Sequence, residues 1–318
     1  MTQANPIPAI IVRIDAAHAG QRLDNFLFSQ LKGVPKTWIY RVVRKGEVRV
    51  NKKRSKAHTR LESGDEVRIP PVRVAGRNST SPSQSAMDAV LDTIIFEDEH
   101  LLIMNKPSGW PVHGGSGSDY GIIETLRAAR PNMPFVELAH RLDKGTSGCL
   151  ELARSRQALT GLQSQLRRHD ASVKKVYTTL LQGRWRSGRQ QVDVNLSNTV
   201  DQNHSRTIQA DEQGKAAITE FSPTRVFALA SLMKATITTG RMHQIRAHAV
   251  HLGHPVAGDD KYGNFGFNRE MKKHYGLKRM FLHASRISFR HPLDDRSLSF
   301  NCPLPEELKR VLNGLGDE

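Results

Sequence analysis

The chain has 318 residues, of which 38% are hydrophobic, and this size allows about two packed domains. Lys and Arg number 47 against 31 Asp and Glu, a formal net charge of +16, so we expect a polyanionic partner, above all a nucleic acid. No apolar run approaches the roughly 18–20 residues that cross a bilayer, and the N-terminus lacks the pattern of a secretion signal. We therefore expect a cytoplasmic protein without membrane contacts.

The two cysteines, Cys149 and Cys302, lie far apart in the sequence, and neither has a second cysteine nearby. This spacing indicates neither a disulfide framework nor a zinc site, and it predicts two small packing residues. The histidines at positions 243, 248, 251 and 254 point to different sides of a helix or lie beyond a glycine, with no carboxylate at a ligand-like spacing. We expect no metal site.

The first predicted domain, residues 19–75, combines two helices with short strands. Amphipathic patterns predict helices over residues 22–31 and 36–45, and β-branched residues predict strands over 48–50 and 67–69. The turn residues Ser63, Gly64 and Asp65 precede the second strand. These elements predict a small α+β domain.

Basic residues are concentrated within this domain. Between Arg41 and Arg60 nine residues are basic and only Glu47 is acidic. A solvated face that aids solubility is one interpretation. RNA binding is favoured, because a cluster of one sign repels itself unless a polyanion is bound. The candidate RNA-binding residues, termed the basic cluster below, are Arg41, Arg44, Lys45, Lys52, Lys53 and Arg54.

A second domain is predicted over residues 91–310, after a Ser-rich flexible linker at 76–90. Strands are expected near residues 91–95, 101–104, 176–181, 231–238 and 287–289, and helices near 122–129, 156–168 and 242–252. Strands and helices do not alternate regularly, which favours a mixed, mainly antiparallel central sheet flanked by helices. The predicted fold class of the whole chain is α+β.

The most distinctive segment runs from His140 to Gly148. It places the carboxylate of Asp143 between the cations of Arg141 and Lys144 and ahead of a Gly-rich turn. An Asp in this position commonly caps a turn, and taken alone the segment favours that interpretation. The basic character of the chain favours the alternative, that Asp143 is presented as a nucleophile beside bound RNA.

Two family resemblances follow from motifs. Segments 20–27, 45–51 and 64–67 resemble the small RNA-binding domain first known from ribosomal small-subunit protein four. Five motifs of the second domain resemble, in order and spacing, the pseudouridine synthases of the RluA family. They are Asn105-Lys106-Pro107-Ser108-Gly109, His140-Arg141-Leu142-Asp143 with Thr146-Ser147-Gly148, Lys175-Val176-Tyr177, Gly240-Arg241-Met242-His243-Gln244-Ile245-Arg246 and Leu282-His283-Ala284. The match extends from about residue 10 to residue 305, and it is strongest with members that modify large-subunit ribosomal RNA.

The second resemblance implies an enzyme that detaches uracil from ribose, rotates it and reattaches it through carbon five, without a metal or redox cofactor. By their match to the family motifs, Asp143 is the nucleophile, Arg241 pairs with it, and the Tyr177 ring stacks on the flipped base, with its hydroxyl placed for proton removal. Arg141 fills the gap left by the extruded base, and Leu282 lines the pocket. Alternatives stay open at three positions: Arg241 as a phosphate contact, and Tyr177 and Leu282 as core residues.

The resemblance implies large-subunit ribosomal RNA or its assembly intermediates as the partner. No obligate protein partner is expected, and the absence of a sustained heptad or apolar interface segment favours a monomer. A non-catalytic RNA-binding or ribosome-assembly protein is the first alternative, but it would not need Asp143, Tyr177 and Arg241 together. An RNA hydrolase is the second, although glycoside cleavage usually needs a second carboxylate, and none stands out near Asp143.

Overall fold

The computed structural model of the chain divides into two units, residues 1–81 and 82–318. It describes residues 6–16, 18–31, 34–73, 81–115, 118–168, 172–200 and 206–316. Within these residues, no helix has both the length and the apolar character that a membrane span requires.

The N-terminal unit packs two helices against a small sheet. Its elements are β1 (Pro6–Ile7), β2 (Ile10–Arg13), α1 (Leu23–Gln30), α2 (Lys36–Lys45), β3 (Arg49–Val50), β4 (Lys53–Arg54), β5 (Glu66–Ile69) and β6 (Val72–Arg73). Strands β2, β5, β3 and β4 form one antiparallel sheet in that order, and β1 pairs with β6. The core includes Leu23, Phe26 and Ile39, all with at most 1% exposure. Both predicted helices and both predicted strands are therefore present.

Helix α2 ends at Gly46, whose φ of +74° is left-handed and whose N–H donates to the carbonyls of Val42 and Val43. Such a C-cap favours glycine, and a Cβ here would also lie 2.3 Å from Arg54 Nε. The turn between β3 and β4 has positive φ at both Asn51 and Lys52, as a two-residue hairpin turn requires. These two turns position the two parts of the basic cluster, one on α2 and the other on the β3–β4 hairpin.

The C-terminal unit is built on a ten-stranded sheet. Its elements are α3 (Gln84–Leu91), β7 (Ile94–Glu97), β8 (Leu101–Lys106), α4 (Ile122–Ala129), β9 (Glu137–Leu138), β10 (Ser147–Ala153), α5 (Arg156–Arg168), β11 (Lys174–Gln182), β12 (Gln190–Asp193), β13 (Leu196–Val200), β14 (Arg206–Ala210), β15 (Ile218–Val226), β16 (Ala230–Ile237), α6 (Gln244–His251), α7 (Phe265–Tyr275), β17 (Leu282–Arg290), β18 (Ser297–Asn301) and α8 (Glu306–Gly316).

The main path of the sheet is β12-β15-β16-β11-β17-β10-β8-β7, with β18 beside β17 and β9 beside β10. Only the β10–β17 pair is parallel among the described strand pairs of this sheet. Strands β13 and β14 form a separate antiparallel ribbon. The α+β class and the mixed, mainly antiparallel sheet are thus confirmed.

Two local predictions were wrong. Residues 84–91 form helix α3, which begins at the Ser83 side-chain cap and buries Val90 completely, so this part of the expected linker is ordered. The strand expected at 91–95 begins only at Ile94. Residues 76–80 of the expected linker lie outside the described residues. A Ser cap and one well-packed apolar residue were enough to start a helix in a segment of linker-like composition.

The two cysteines meet in the core, although 153 positions separate them. Cys149 on β10 and Cys302 after β18 are both free and buried, with their Sγ atoms 2.9 Å apart. This confirms the prediction of packing residues and adds a contact that sequence distance concealed.

Candidate active site

The loop that carries Asp143 is hydrogen bonded to the end of β8 and to the segment that follows it. Lys106 is fully buried, and its Nζ donates to the carbonyls of Pro107 at 2.9 Å, Trp110 at 2.8 Å and Lys144 at 3.2 Å. The Ser108 hydroxyl donates to the Gly145 carbonyl at 2.8 Å. Burial lowers the pKa of the Lys106 ammonium to about 7. The first motif therefore fastens the loop that carries Asp143.

The end of this loop is fastened to β17. Gly148 has a φ of +109°, and a Cβ at this position would lie 2.2 Å from the Ala284 carbonyl oxygen. Only glycine permits such a close parallel approach of the two strands. The approach brings the start of β17, with Leu282, next to the loop that ends in β10.

The carboxylate of Asp143 is held by Arg246 on helix α6. Arg246 Nη1 donates to Asp143 Oδ2 at 3.2 Å, while its Nε and Nη2 donate to the two oxygens of Asp259 at 2.7 Å each. Burial alone would lower the pKa of Arg246, but Asp259 and Asp143 together raise it. Arg246 is thus a permanent, oriented cation beside Asp143.

No hydrogen bond reaches the other oxygen, Asp143 Oδ1, from any residue that the structure describes. The Asp143 side chain is 27% exposed and lines the adjoining cavity. A carboxylate that is held through one oxygen and open at the other is suited to nucleophilic attack.

The cavity beside Asp143 has a volume of about 670 Å³. Tyr177 from β11, Leu282 from β17 and Arg141 from the loop that carries Asp143 all line it. Tyr177 and Leu282 are buried, with 7% and 4% exposure, whereas Arg141 is exposed. A flat ring and an aliphatic side chain on its walls, with a cation at its edge, make a cavity suited to a planar polar base.

The hydroxyl of Tyr177 is hard to ionise. Burial raises its pKa above the usual 10, and the negative charge of Asp143 raises it further. At neutral pH the phenol therefore keeps its proton. A neutral phenol can take a proton from carbon only if it gives its own proton to another group at the same time. The simplest contribution of Tyr177 is therefore a ring for stacking and a hydroxyl for hydrogen bonding.

The expected pairing of Arg241 with the nucleophile is wrong. Arg241 is half-buried, and its Nε donates to the Ala216 carbonyl at 3.0 Å, although the residue lines the cavity. Arg246, five positions later in the same motif, makes the pair with Asp143. Arg241 precedes the helix, whereas Arg246 lies on the face of α6 that points to Asp143 and Asp259. The alternative of a phosphate contact stays open for Arg241.

The sharp turn into α6 is held by Gln244. Its side-chain oxygen accepts from the Thr239 hydroxyl at 2.7 Å and from the Arg241 N–H at 3.0 Å, and its amide donates to the Ile218 carbonyl at 2.9 Å. These bonds tie the start of the helix to strand β15. They explain why the motif contains a buried glutamine between two basic residues.

Asp143 is the only carboxylate among the described residues that line this cavity. A hydrolase with a paired acid and base would place a second carboxylate there. No group of three or more potential metal-ligating side chains occurs among the described residues. His248, one of the four clustered histidines, instead hydrogen bonds to Thr219 and to the Val194 carbonyl.

The basic cluster belongs to the N-terminal unit. All six of its side chains are exposed. Arg41, Arg44 and Lys45 lie on α2, and the hairpin of β3 and β4 carries the other three. Arg54 Nη2 donates to the Lys45 carbonyl at 2.9 Å, which joins the end of the helix to the hairpin.

Sequence reasoning missed Arg246 and Asp259. Arg246 is part of the motif at residues 240–246, so the sequence contained the signal. The choice between Arg241 and Arg246 required the direction of helix α6. Asp259 lies outside every quoted motif, and only its two hydrogen bonds to Arg246 identify it.

Comparison with known proteins agrees with this geometry. The family described as RNA pseudouridylate synthase matches residues 100–251, and the S4 domain matches residues 21–67. "Ribosomal large subunit pseudouridine synthase C" of Escherichia coli (strain K12) is 48% identical over 96% of both chains. The protein of the same name from Yersinia pestis is 46% identical over 99% of this chain and 98% of its own.

Two solved structures share the fold. "Human RNA Pseudouridylate Synthase Domain Containing 4" superposes with a TM-score of 0.60 at 23% identity, covering 73% of this chain and 96% of its own. "Human RNA Pseudouridylate Synthase Domain Containing 1" has a TM-score of 0.55 at 25% identity, covering 67% and 83%. With close relatives along nearly its whole length, this chain belongs to the RNA pseudouridylate synthase family, carries an N-terminal S4 domain, and is an RNA pseudouridine synthase.

Proposed function

We propose that this chain converts specific uridines of large-subunit ribosomal RNA, naked or in assembly intermediates, to pseudouridine. The observation that carries the proposal is the Asp143 carboxylate, held by Arg246 at the edge of a cavity lined by Tyr177 and Leu282. The ribosomal substrate is supported by the printed names of relatives that are 46% and 48% identical.

The reaction rearranges bonds without net loss of atoms. The bond between uracil N1 and ribose C1′ breaks, a bond between uracil C5 and C1′ forms, the C5 proton leaves, and N1 gains a proton. Asp143 is the proposed nucleophile, with attack on sugar or base both open, and Arg246 orients it through the hydrogen bond to Oδ2. The buried walls keep the detached uracil from escaping while it turns.

The target base has to leave its stack before it enters this cavity. Extrusion costs about a few kcal/mol of stacking and pairing. The Tyr177 ring recovers part of this energy by stacking on the flipped base, and Leu282 packs against it. Arg141, exposed at the edge of the cavity, is proposed to occupy the gap in the RNA with its planar guanidinium.

The basic cluster of the S4 domain is the proposed RNA anchor, since six exposed cations on one helix and one hairpin neutralise several phosphates. We infer that the protein acts in the cytoplasm as a monomer, without an obligate protein partner and without a metal or redox cofactor. Pseudouridine formation of this type requires neither an electron acceptor nor a Lewis acid.

Carbodiimide-adduct primer extension on unmodified large-subunit ribosomal RNA tests this function. RNA treated with the wild-type protein should give new stops at a few uridines, and RNA treated with Asp143→Asn should give none. The same variant should still bind the RNA, because the change removes a nucleophile and not a phosphate contact. The absence of stops with wild-type protein on both naked RNA and assembly intermediates would contradict the proposed substrate. An active Asp143→Asn protein would contradict the role of Asp143.

A further inference from the structure

His243 lies against the nucleophile in an unusual backbone conformation. Its Nε2 is 3.7 Å from Asp143 Oδ2, and its φ of +51° and ψ of +21° are left-handed. This conformation is uncommon outside glycine, although histidine is among the residues enriched in it, and strained positions concentrate at functional sites. The Gln244 bonds to Thr239 and Arg241 hold the turn that contains His243.

The other side of the imidazole is in contact with Tyr262. The Tyr262 hydroxyl lies 2.8 Å from His243 Nδ1 and accepts the backbone N–H of Ile208 at 2.9 Å. The position of Tyr262 is itself determined, because its own N–H donates to Asp259 Oδ1 at 3.0 Å and its ring lies 4.8 Å from the Arg246 guanidinium.

The hydrogen-bond partners of Tyr262 favour one tautomer of His243. A phenol has one proton to donate, and here its oxygen already accepts the Ile208 N–H. Donation of that proton to His243 Nδ1 satisfies both groups, whereas a protonated Nδ1 would leave the Tyr262 proton without an acceptor among the described contacts. The single ring proton of neutral His243 is then on Nε2, the atom nearest Asp143.

Charges around the imidazole act in both directions. Burial lowers the pKa of His243 below its usual 6.5; Asp143 and Asp259 oppose this shift and Arg246 and Lys261 reinforce it. The direction is toward a neutral ring at physiological pH. A neutral imidazole can donate a hydrogen bond to Asp143 without neutralising the carboxylate charge.

We propose that His243 is a positioning residue, which orients the Asp143 carboxylate through an Nε2–H hydrogen bond to Oδ2, and that Tyr262 sets the tautomer that makes this bond available. The inference rests on the proposed function. At 3.7 Å the contact is longer than a hydrogen bond and shortens when RNA fills the cavity, as catalytic contacts commonly do. Arg246 and His243 then both hold Oδ2, and Oδ1 is presented to the substrate.

The pair also connects Asp143 to the β13–β14 ribbon, because Ile208 lies on β14. The Ile208 N–H, the Tyr262 hydroxyl and the His243 ring thus form a continuous series of contacts from β14 to Asp143.

The first test is His243→Asn. Asparagine tolerates the left-handed backbone, and its Oδ1 can accept the Tyr262 proton in place of Nδ1, but its side chain is too short to reach Asp143. The substitution thus isolates the Nε2 contact. His251→Asn, at an exposed position near the end of the same helix, is the matched control.

The measurement is single-turnover release of tritium from [5-³H]uridine in unmodified large-subunit ribosomal RNA at saturating protein. We expect His243→Asn to lower the rate about tenfold to a hundredfold, with RNA affinity and thermal unfolding midpoint close to those of the wild type. His251→Asn should match the wild type. A His243→Asn rate within twofold of the wild type would overturn the positioning role.

The second test is the pH profile of Tyr262→Phe. Without the phenol proton, Nδ1 is free to take up a proton from solution, so the pKa of His243 rises and an imidazolium forms beside Asp143. An imidazolium withdraws charge from the carboxylate, so the acid limb of the rate profile should move to higher pH. A purely structural defect would lower the rate equally at every pH, and such a parallel profile would overturn the tautomer assignment.

The wild-type measurement distinguishes a failure of the positioning role from a failure of the proposed function. Tritium release by the wild type together with unaltered His243→Asn would overturn the positioning role alone. No release by the wild type from this RNA would overturn the proposed function, and the inference with it.

Discussion

Asp259 accepts two hydrogen bonds of 2.7 Å from Arg246, and this pair leaves only Nη1 of the guanidinium free to turn toward Asp143. Asp259 is fully buried and Arg246 is 6% exposed. A paired, buried carboxylate is a rigid support, because removing either partner leaves an uncompensated charge in the protein interior. The direction of the Asp143 carboxylate is therefore set in part by Asp259, a residue that does not touch it.

We expect Arg246→Lys to slow pseudouridine formation at least about a hundredfold, because an ammonium cannot hold Asp259 through two parallel bonds and reach Asp143 as well. Arg241→Lys is the matched comparison, five positions earlier on the same motif. Its effect should be smaller and should appear in RNA affinity. Single-turnover rates at saturating RNA check this prediction, and equal rate losses for the two variants would contradict the assignment of Arg246.

Tyr177→Phe keeps the ring on the cavity wall and removes only the hydroxyl. If that hydroxyl takes part in proton removal from C5, the rate should fall by about 10²–10⁴ while RNA affinity stays unchanged. Tritium release and pseudouridine yield should fall together. Tyr177→Leu, which loses the stacking face as well, should weaken RNA binding in addition. A phenylalanine variant with full activity would restrict Tyr177 to stacking.

Lys52, Lys53 and Arg54 form the hairpin part of the basic cluster and are all exposed. Replacing the three with alanine should weaken RNA binding and reduce the slope of log affinity against log salt by about two to three, since each phosphate contact releases about one counterion. Filter binding between low and moderate salt measures the slope. An unchanged slope would show that these side chains do not contact phosphates.

Glu151 on β10 is a buried carboxyl group whose raised pKa can be tested through the pH dependence of stability. The residue is 1% exposed, and burial raises its pKa from 4.5 to about 8, against the opposing charge of Lys175. The folded protein therefore keeps a proton that the unfolded chain releases above about pH 4.5. This group makes the free energy of unfolding fall by about 1.4 kcal/mol per pH unit between pH 5 and 8.

Glu151→Gln removes that slope, so the variant should gain stability relative to the wild type as the pH rises from 5 to 8. Urea unfolding across this window measures the difference. Glu62→Gln, at an exposed position, serves as the control and should follow the wild type. A constant difference between Glu151→Gln and the wild type at all pH values would contradict the raised pKa.

Local sequence predicted most of the elements because their signals are local. Helices α2, α4 and α5 begin and end where the apolar periodicity predicted, over residues 36–45, 122–129 and 156–168. The exceptions occur where a local signal competes with packing. The Ser-rich segment before residue 91 predicted a linker, yet the Ser83 cap and the burial of Val90 produced α3.

Motif order identified the family and placed Asp143, Tyr177 and Leu282 in one site, because motifs that serve one reaction converge in space whatever their separation in sequence. Motif letters could not choose between Arg241 and Arg246, since both are arginines on the same short segment. The left-handed turn at His243 and the position of Asp259 decide which arginine reaches Asp143. Asp259 hydrogen bonds to Arg246 and not to Arg241.

Residue identity along the chain was sufficient to establish the α+β class and the basic RNA-binding domain and to propose Asp143 as the nucleophile, since composition, periodicity and motif spacing are properties of the chain itself. The pairing of Asp143 with Arg246, the support from Asp259 and the contact of His243 with Tyr262 exist only after folding. Each of these contacts depends on the direction in which a side chain leaves its helix or loop. That direction is set by packing against the rest of the domain.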